Sequence, residues 1–87
     1  MGVVRCFKWK SYAWSNKSIS ANGWYHFEQN TGSDFSVLIG IISVYHNHPG
    51  DVVLAGNYIQ SSTIHVWLNN IKNITFTSDG SVTAFGY

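Results

Sequence analysis

The sequence predicts an all-β fold, a small antiparallel β-sandwich or jelly-roll-like domain of seven or eight short strands. Apolar and polar residues alternate over short runs, which is the pattern of strands with one buried face. Turn residues interrupt these runs at spacings of about 8–12 residues. No run shows the capping residues and apolar spacing that a helix requires. These observations together are typical of sandwiches and barrels.

The N-terminal segment predicts a strand at the edge of a sheet. Apolar residues alternate with Lys8 and Lys10 over residues 3–14, and lysines on an outer face are common on edge strands. We therefore expect residues 1–17 to contain an edge strand.

Turn signals divide the rest of the chain. Turns or loops are predicted at residues 15–18, 22–23, 30–34, 46–51, 61–62, 69–73 and 79–80, where Gly, Asn, Asp, Ser and Pro cluster. Strands are predicted over residues 24–29, 35–45, 52–60, 63–68, 74–77 and 82–87. The strand over 52–60 is expected to break at Gly56, and the turn at 79–80 to form a closing hairpin.

Residues 35–45 are the longest apolar run and are expected to form the strand around which the fold is built. Strict alternation places Leu38, Ile42 and Val44 on one face and most of the other large apolar side chains on the opposite face. A strand with both faces apolar lies either in the centre of a sandwich or between its own core and another subunit. For so small a domain we expect the strand to lie between its own core and another subunit, with an interface along Leu38, Ile42 and Val44.

Composition also indicates an oligomer. A chain of 87 residues forms one small domain, residues 1–87, whose core is marginal without further support. Cys6 is the single cysteine, so no intramolecular disulfide provides that support. Charged residues make up 10% of the chain, against about 25% in ordinary domains. Part of the surface is therefore expected to be an interface between copies.

Charge and hydropathy exclude several classes of function. A net charge of +1 lacks the basic footprint that nucleic-acid binding requires. No apolar run reaches the roughly 18 residues that span a bilayer, so we expect no membrane insertion. The four acidic residues lie in predicted turns or on an outward strand position, and their spacing gives no acid and base pair. We therefore expect a protein that is not an enzyme.

Four phrases along the chain resemble a known family. They are residues 18–25 (SISANGWY), residues 37–44 (VLIGIISV), the pair 56–60 and 63–69 (GNYIQ, TIHVWLN), and residues 82–87 (VTAFGY). In order and pattern they are similar to strands of the C-terminal knob, or receptor-binding head, domains of bacteriophage tail and collar fibre proteins. The chain departs from that family at Asn70, where a basic residue is usual, and its 87 residues contain no Gly-X-Y repeat of the kind that forms the family's stalk. By the resemblance, residues 1–17 are expected to form an edge strand or the junction to a stalk.

The resemblance implies a function and a location. Members of the family are homotrimeric fibre tips that contact host surface glycans or proteins. We therefore expect a structural module of a phage virion, made in the bacterial cytoplasm, that binds a host cell-surface ligand. The alternative is a capsid or tail decoration protein that binds other virion proteins.

Two histidines define a candidate metal site. On a strand, His46 and His48 share a face, so their imidazoles are placed to chelate one metal ion, and a threefold axis would gather three such pairs from different subunits. The alternative is a polar loop with solvated histidines, which is the commoner meaning of so short a motif. We expect no cofactor, and keep a shared metal ion at this pair as a hypothesis.

The same loop is the predicted ligand site. Residues 47–51 contain Pro49, which stiffens the loop and lowers the cost of ordering it on binding. The predicted ligand-binding residues are His46, Asn47, His48, Asp51 and Tyr58.

Aromatic residues make up 16% of the chain and are a second indication of ligand binding. Exposed Trp and Tyr rings stack on sugar faces in carbohydrate-binding proteins. We expect Trp67, Phe27 and Phe35 to pack in the core. Trp14, Trp24 and Tyr58 are expected either in the core or at a binding surface.

Overall fold

The computed structural model describes residues 6–87, which form six β-strands. In chain order these are β1 (Lys8–Ile19), β2 (Trp24–Asn30), β3 (Leu38–His46), β4 (Val52–Gln60), β5 (Thr63–Asn70) and β6 (Phe76–Gly86). The predicted all-β class is confirmed, with six strands instead of seven or eight. The start of the predicted N-terminal strand, before residue 6, lies outside the described residues. No helix within the described range is long and apolar enough to cross a membrane.

The strands form two antiparallel sheets of three strands, with the orders β1-β6-β3 and β2-β5-β4. The turn at 61–62 joins β4 and β5 as a hairpin, with Ser61 at a φ of 56°. The predicted turns at 22–23 and 46–51 exist, but each carries the chain from one sheet to the other. The predicted turn at 22–23 does not close a hairpin, because β1 pairs with β6 and β2 pairs with β5.

A single hydrophobic core lies between the inner faces of the two sheets. Its buried members are Trp14, Ile19, Phe27, Phe35, Val52, Ile64, Val66, Leu68, Val82 and Ala84. The rings of Trp14 and Phe27, one from each sheet, lie 5.0 Å apart. Phe27 and Phe35 are buried, which confirms that they are core residues, and Trp14 is a buried core residue as well.

Asn70 is a buried polar residue that fixes the loops at one end of the sandwich. Its amide nitrogen donates hydrogen bonds to the backbone oxygens of Ile19, Ser20 and Ile74, at 3.1, 3.1 and 2.7 Å. Its side-chain oxygen accepts one from the backbone N–H of Lys72 at 2.9 Å. The buried amide is therefore fully used, which is the condition for burying a polar group without a large cost in stability.

Strand β6 runs without a break through residues 79–80, where the sequence predicts a turn. Gly80 pairs with Trp14 on one side and His46 on the other. A side chain at this position would overlap the Trp14 ring and the backbone oxygen of Tyr45. The glycine is thus required by close packing in the middle of a sheet. The predicted closing hairpin is wrong, which accounts for the smaller number of strands.

Two other predicted interruptions are irregularities within continuous strands. In β1 the register shifts between Trp14 and Lys17, and Asn16 has a φ of 54°. In β4 the register shifts between Leu54 and Gly56. The turn residues in these segments therefore mark β-bulges, which insert a residue into a strand without ending it.

Strand β3, which contains the longest apolar run, is an edge strand of its sheet, and the central position belongs to β6. Its pairing with β6 shifts register twice, between Leu38 and Gly40 and between Ile41 and Ser43. Each shift changes the alternation of side chains between the two faces. The strict alternation expected along residues 35–45 is therefore wrong, and the strand is not central in its sheet.

As a result, the predicted interface along Leu38, Ile42 and Val44 does not form one face. Leu38 and Val44 are partly buried against the core, together with Ile41, whereas Ile42 is 52% exposed. The apolar side chains that β3 and the residue before it leave exposed are Val37, Ile39, Ile42 and Tyr45. We call these four residues the exposed strip.

Candidate functional site

The predicted ligand loop, residues 46–51, is a tight turn held by hydrogen bonds. The backbone N–H groups of Asp51 and Val52 both donate to the backbone oxygen of His48, at 3.2 and 3.0 Å. Asn47 and Asp79 are joined twice: the Asn47 N–H donates to the Asp79 backbone oxygen at 3.1 Å, and the Asp79 N–H donates to Asn47 Oδ1 at 3.0 Å. Many of the hydrogen-bonding groups of the loop are therefore used to hold the turn together.

Both histidines of this loop also use a ring nitrogen internally. His46 Nδ1 accepts a hydrogen bond from the backbone N–H of His48 at 3.2 Å. His48 Nε2 donates to the backbone oxygen of Thr77 at 2.7 Å, and its ring lies 4.7 Å from that of Phe76. Burial, and then the charge of His48, lower the pKa of His46. A shared metal ion at this pair remains a prediction. The ion would have to bind the other ring nitrogens, His46 Nε2 and His48 Nδ1, or replace one of these two hydrogen bonds.

Tyr58, the fifth predicted ligand residue, lies apart from the loop. It is on β4, about 20 Å along the strand from Val52. Its ring stacks on that of His65, with centroids 4.4 Å apart and an interplanar angle of 9°. The structure therefore brings His46, Asn47, His48 and Asp51 together in one loop and places Tyr58 in a different cluster.

That cluster covers the outward face of the β2-β5-β4 sheet. In the pairing of β2 with β5, His26 lies opposite Trp67 and Glu28 lies opposite His65. In the pairing of β4 with β5, Tyr58 lies opposite His65 from the other side. Residues directly opposite in antiparallel strands project from the same face, so strand register alone gathers these side chains.

The rings form a continuous row across the three strands. The planes of His26 and Trp67 are parallel within 1°, with centroids 4.0 Å apart. Trp24 meets Trp67 edge to face at 6.4 Å. We call the five residues Trp24, Trp67, His26, His65 and Tyr58 the aromatic row. Contacts of this kind stabilise aromatic pairs beyond the burial of their area.

A groove of about 570 Å³ opens beside the aromatic row. Its lining residues are Trp24, Ala55, Gly56, Asn57, Tyr58 and Trp67. Gly56 lies opposite Trp67, and a Cβ atom at Gly56 would meet no atom within 4 Å beyond its chain neighbours. The missing side chain therefore leaves the groove open next to the indole ring.

The exposure of the groove residues suits a ligand that stacks on rings. Trp24 is 60% exposed and Tyr58 is 47% exposed, although large aromatic residues normally bury most of their surface. Asn57 also lines the groove, but it lies opposite the core residue Val66. The groove thus offers mainly apolar ring faces for C–H groups.

A cluster of metal-ligating groups lies at the other side of the aromatic row. Ligand atoms of His26, Glu28 and His65 all lie within 4.8 Å of one another. His26 Nε2 and His65 Nδ1 are hydrogen-bonded at 2.9 Å. His26 and Glu28 also line a second groove of about 500 Å³, which Lys17 borders.

Sequence reasoning missed most of this face. It assigned Trp67 to the core, whereas the indole is only partly buried and lines the groove. The available signal was the alternation within β5, where Ile64, Val66 and Leu68 occupy one face and His65 and Trp67 the other. The pairing of β5 with β2 and β4 could not be obtained from one strand alone.

No protein-family model, no curated protein and no solved structure matches the chain. The assignment of a function therefore depends on the geometry of the fold and its surfaces.

Proposed function

We propose that this chain is a non-enzymatic β-sandwich module that binds a glycan in the groove of the β2-β5-β4 sheet. The observation that supports this function is the aromatic row, which ends in two exposed rings, Trp24 and Tyr58, on either side of an open groove. Sugar rings present flat faces of C–H groups that pack on indole and phenol rings. Hydroxyls at the rim of the sugar would remain exposed to solvent or bond to polar groups at the edge of the groove.

The rigidity of the site favours binding without a large ordering cost. Trp67 is held between His26 and Trp24, and Tyr58 is held on His65, so each ring is already positioned by a neighbour. Preorganised groups lose less conformational entropy when a ligand binds. A shallow, rigid aromatic surface on strands is therefore better suited to a saccharide than the hydrogen-bonded turn at residues 46–51.

The wider role that we propose is that of a phage fibre tip that binds a host surface glycan or protein. The similarity of four phrases to fibre knob domains supports it. The exposed strip supports self-association, because a second or third copy would cover the four apolar side chains that β3 and the residue before it leave exposed. A homotrimer in the virion is part of this proposal.

The exposed strip also favours a second candidate function. The same apolar edge would fit a protein partner, as expected for a capsid or tail decoration protein that contacts other virion proteins. In that case the aromatic row would stabilise the fold without binding a sugar.

A glycan array probed with the purified protein tests the proposal. Wild type should bind a defined group of glycans, and Trp24→Ala and Tyr58→Ala should each weaken binding by at least about tenfold. Trp9→Ala is the matched control, because Trp9 is 72% exposed but belongs to the other sheet. It should bind as wild type does.

Two results would contradict the proposed site. If His48→Ala and Asp51→Ala abolish binding while the Trp24 variant binds normally, the ligand lies at the 46–51 loop. If wild type binds no glycan but captures other virion proteins through the exposed strip, the decoration function is correct.

A further inference from the structure

We propose that His26, Glu28 and His65 form a binding site for a divalent transition-metal ion, with Zn²⁺ as the best fit. Among residues 6–87, this is the group in which three metal-ligating side chains bring their ligand atoms within 4.8 Å of one another. The site is separate from the histidine pair of the 46–51 loop. It does not depend on the glycan proposal.

The backbone fixes the positions of the three ligands. His26 and Glu28 are two residues apart on β2 and therefore project from the same face. His65 lies on β5 directly opposite Glu28. Ligands on paired strands are held by the hydrogen bonds of the sheet, so the site needs no loop to close over the ion.

The ring nitrogens already face each other at nearly the spacing that a metal ion requires. His26 Nε2 and His65 Nδ1 are 2.9 Å apart, so one of them carries the proton and the other accepts it. Two nitrogens bound to a tetrahedral Zn²⁺ at about 2.0–2.1 Å are about 3.4 Å apart. The ion can therefore replace the shared proton if the rings separate by roughly half an ångström.

The ligand set selects the class of ion. Two imidazoles and one carboxylate suit Zn²⁺ and its neighbours in the first transition row, whereas Ca²⁺ and Mg²⁺ require sites rich in oxygen. The carboxylate of Glu28 offsets part of the ion's charge. Three protein ligands leave a coordination position for water, and His26 and Glu28 border a groove that water can enter.

Neighbouring rings hold the two imidazoles in place. His26 stacks on Trp67 at 4.0 Å, and His65 stacks on Tyr58 at 4.4 Å. His65 is also almost completely buried, at 7% exposure. In protein metal sites, neighbouring groups regularly orient the ligands, and here the rings of Trp67 and Tyr58 hold the two imidazoles.

Titration with Zn²⁺ alone, followed by calorimetry on protein without an affinity tag, tests the site. We expect one ion per chain, and at a hundredfold excess over the dissociation constant the thermal midpoint should rise by roughly 10–20 °C. Co²⁺ should give visible absorption bands of a four- or five-coordinate site. Glu28→Gln and His26→Gln should each weaken Zn²⁺ binding by at least about tenfold.

The double variant His46→Gln/His48→Gln is the matched control, because it removes the other two of the four histidines. It should bind Zn²⁺ as wild type does. Glu28 is exposed, so its variant is expected to fold, and its circular dichroism spectrum verifies this. The proposal is overturned if wild type binds no Zn²⁺ at millimolar concentration. It is equally overturned if a folded Glu28→Gln keeps full affinity, or if the control variant loses binding.

Discussion

The imidazole of His26 lies flat on the indole of Trp67, with ring planes parallel within 1° and centroids 4.0 Å apart. The two residues are cross-strand partners on β2 and β5, so the stack is a direct consequence of strand register. It links the metal-ligating side of the aromatic row to the side that borders the groove. Both proposals for this face therefore depend on the same pairing of strands.

Filling the groove should block binding without harming the fold. In Gly56→Val the new side chain meets no atom within 4 Å at its Cβ position, and valine favours strands over glycine. We expect the free energy of unfolding to stay the same or to rise by up to about 1 kcal/mol. Glycan affinity should fall by at least about tenfold, because the branched side chain enters the space beside Trp67. A variant with wild-type affinity would show that the ligand does not occupy this groove.

The exposed strip should hold copies of the chain together. Ile42→Asp places a charge at a side chain that is 52% exposed, so it should dissociate the oligomer without unfolding the domain. Ile74→Asp is the matched control, with the same substitution at a position that is 59% exposed and lies in a loop. Light scattering at micromolar concentration measures both masses. A monomeric wild type, or equal dissociation in both variants, would contradict the interface.

Gly80→Ala should destabilise the domain strongly. The added methyl group would overlap the ring of Trp14 and the backbone oxygen of Tyr45. Overpacking of a close contact costs about 1–3 kcal/mol, and we expect the upper end because backbone is involved. Urea unfolding measures the stability of this variant and of Gly56→Ala, in which the added methyl group meets no neighbour within 4 Å. The difference between the two variants is the effect of packing. Equal stability of the two variants would mean that Gly80 is not packed within a sheet.

Acid should weaken the fold partly through Asp34. Tyr12 donates a hydrogen bond to Asp34 Oδ2 at 2.7 Å, and Lys10 Nζ lies 3.2 Å from the same oxygen. The bond from Tyr12, followed by that from Lys10, lowers the pKa of Asp34 in the folded protein. The stabilisation is complete above the pKa of the unfolded chain, near 4, and is lost as the pH falls through the lower folded value.

Unfolding experiments between neutral pH and pH 2 measure this effect. Wild type should lose stability below about pH 4, and Asp34→Asn should lose less over the same interval. Asp51→Asn is the control, because within residues 6–87 Asp51 makes no ion pair with a lysine. Parallel curves for wild type and Asp34→Asn would show that the carboxylate does not contribute to acid sensitivity.

The positions of strands and turns were largely predictable from the sequence, but their connection into sheets was not. Alternation located β5 because one face of this strand, formed by Ile64, Val66 and Leu68, is buried. It failed at β3, where two register shifts change the phase, and at Gly80, where glycine serves packing. A glycine in a turn and a glycine under an indole ring look identical in a sequence.

The candidate site was less predictable than the fold. The sequence predicts a site at His46 and His48 because they are two residues apart, yet each ring uses one nitrogen in a hydrogen bond to the backbone. His26 and His65 are 39 residues apart and meet only through strand pairing. One sequence gives no indication of such contacts between distant residues, so the aromatic row could be identified only from the structure.

The central claim, that the groove beside the aromatic row binds a sugar, can be tested by NMR on the indole N–H groups. The chain has four tryptophans. Trp9 is exposed on the other sheet, Trp14 is in the core, and Trp24 and Trp67 line the groove. On titration with the oligosaccharide that gives the strongest array signal, we expect the resonances of Trp24 and Trp67 to shift in proportion to occupancy. Those of Trp9 and Trp14 should stay in place. A shift confined to Trp9, or saturable binding that moves none of the four, would contradict the account.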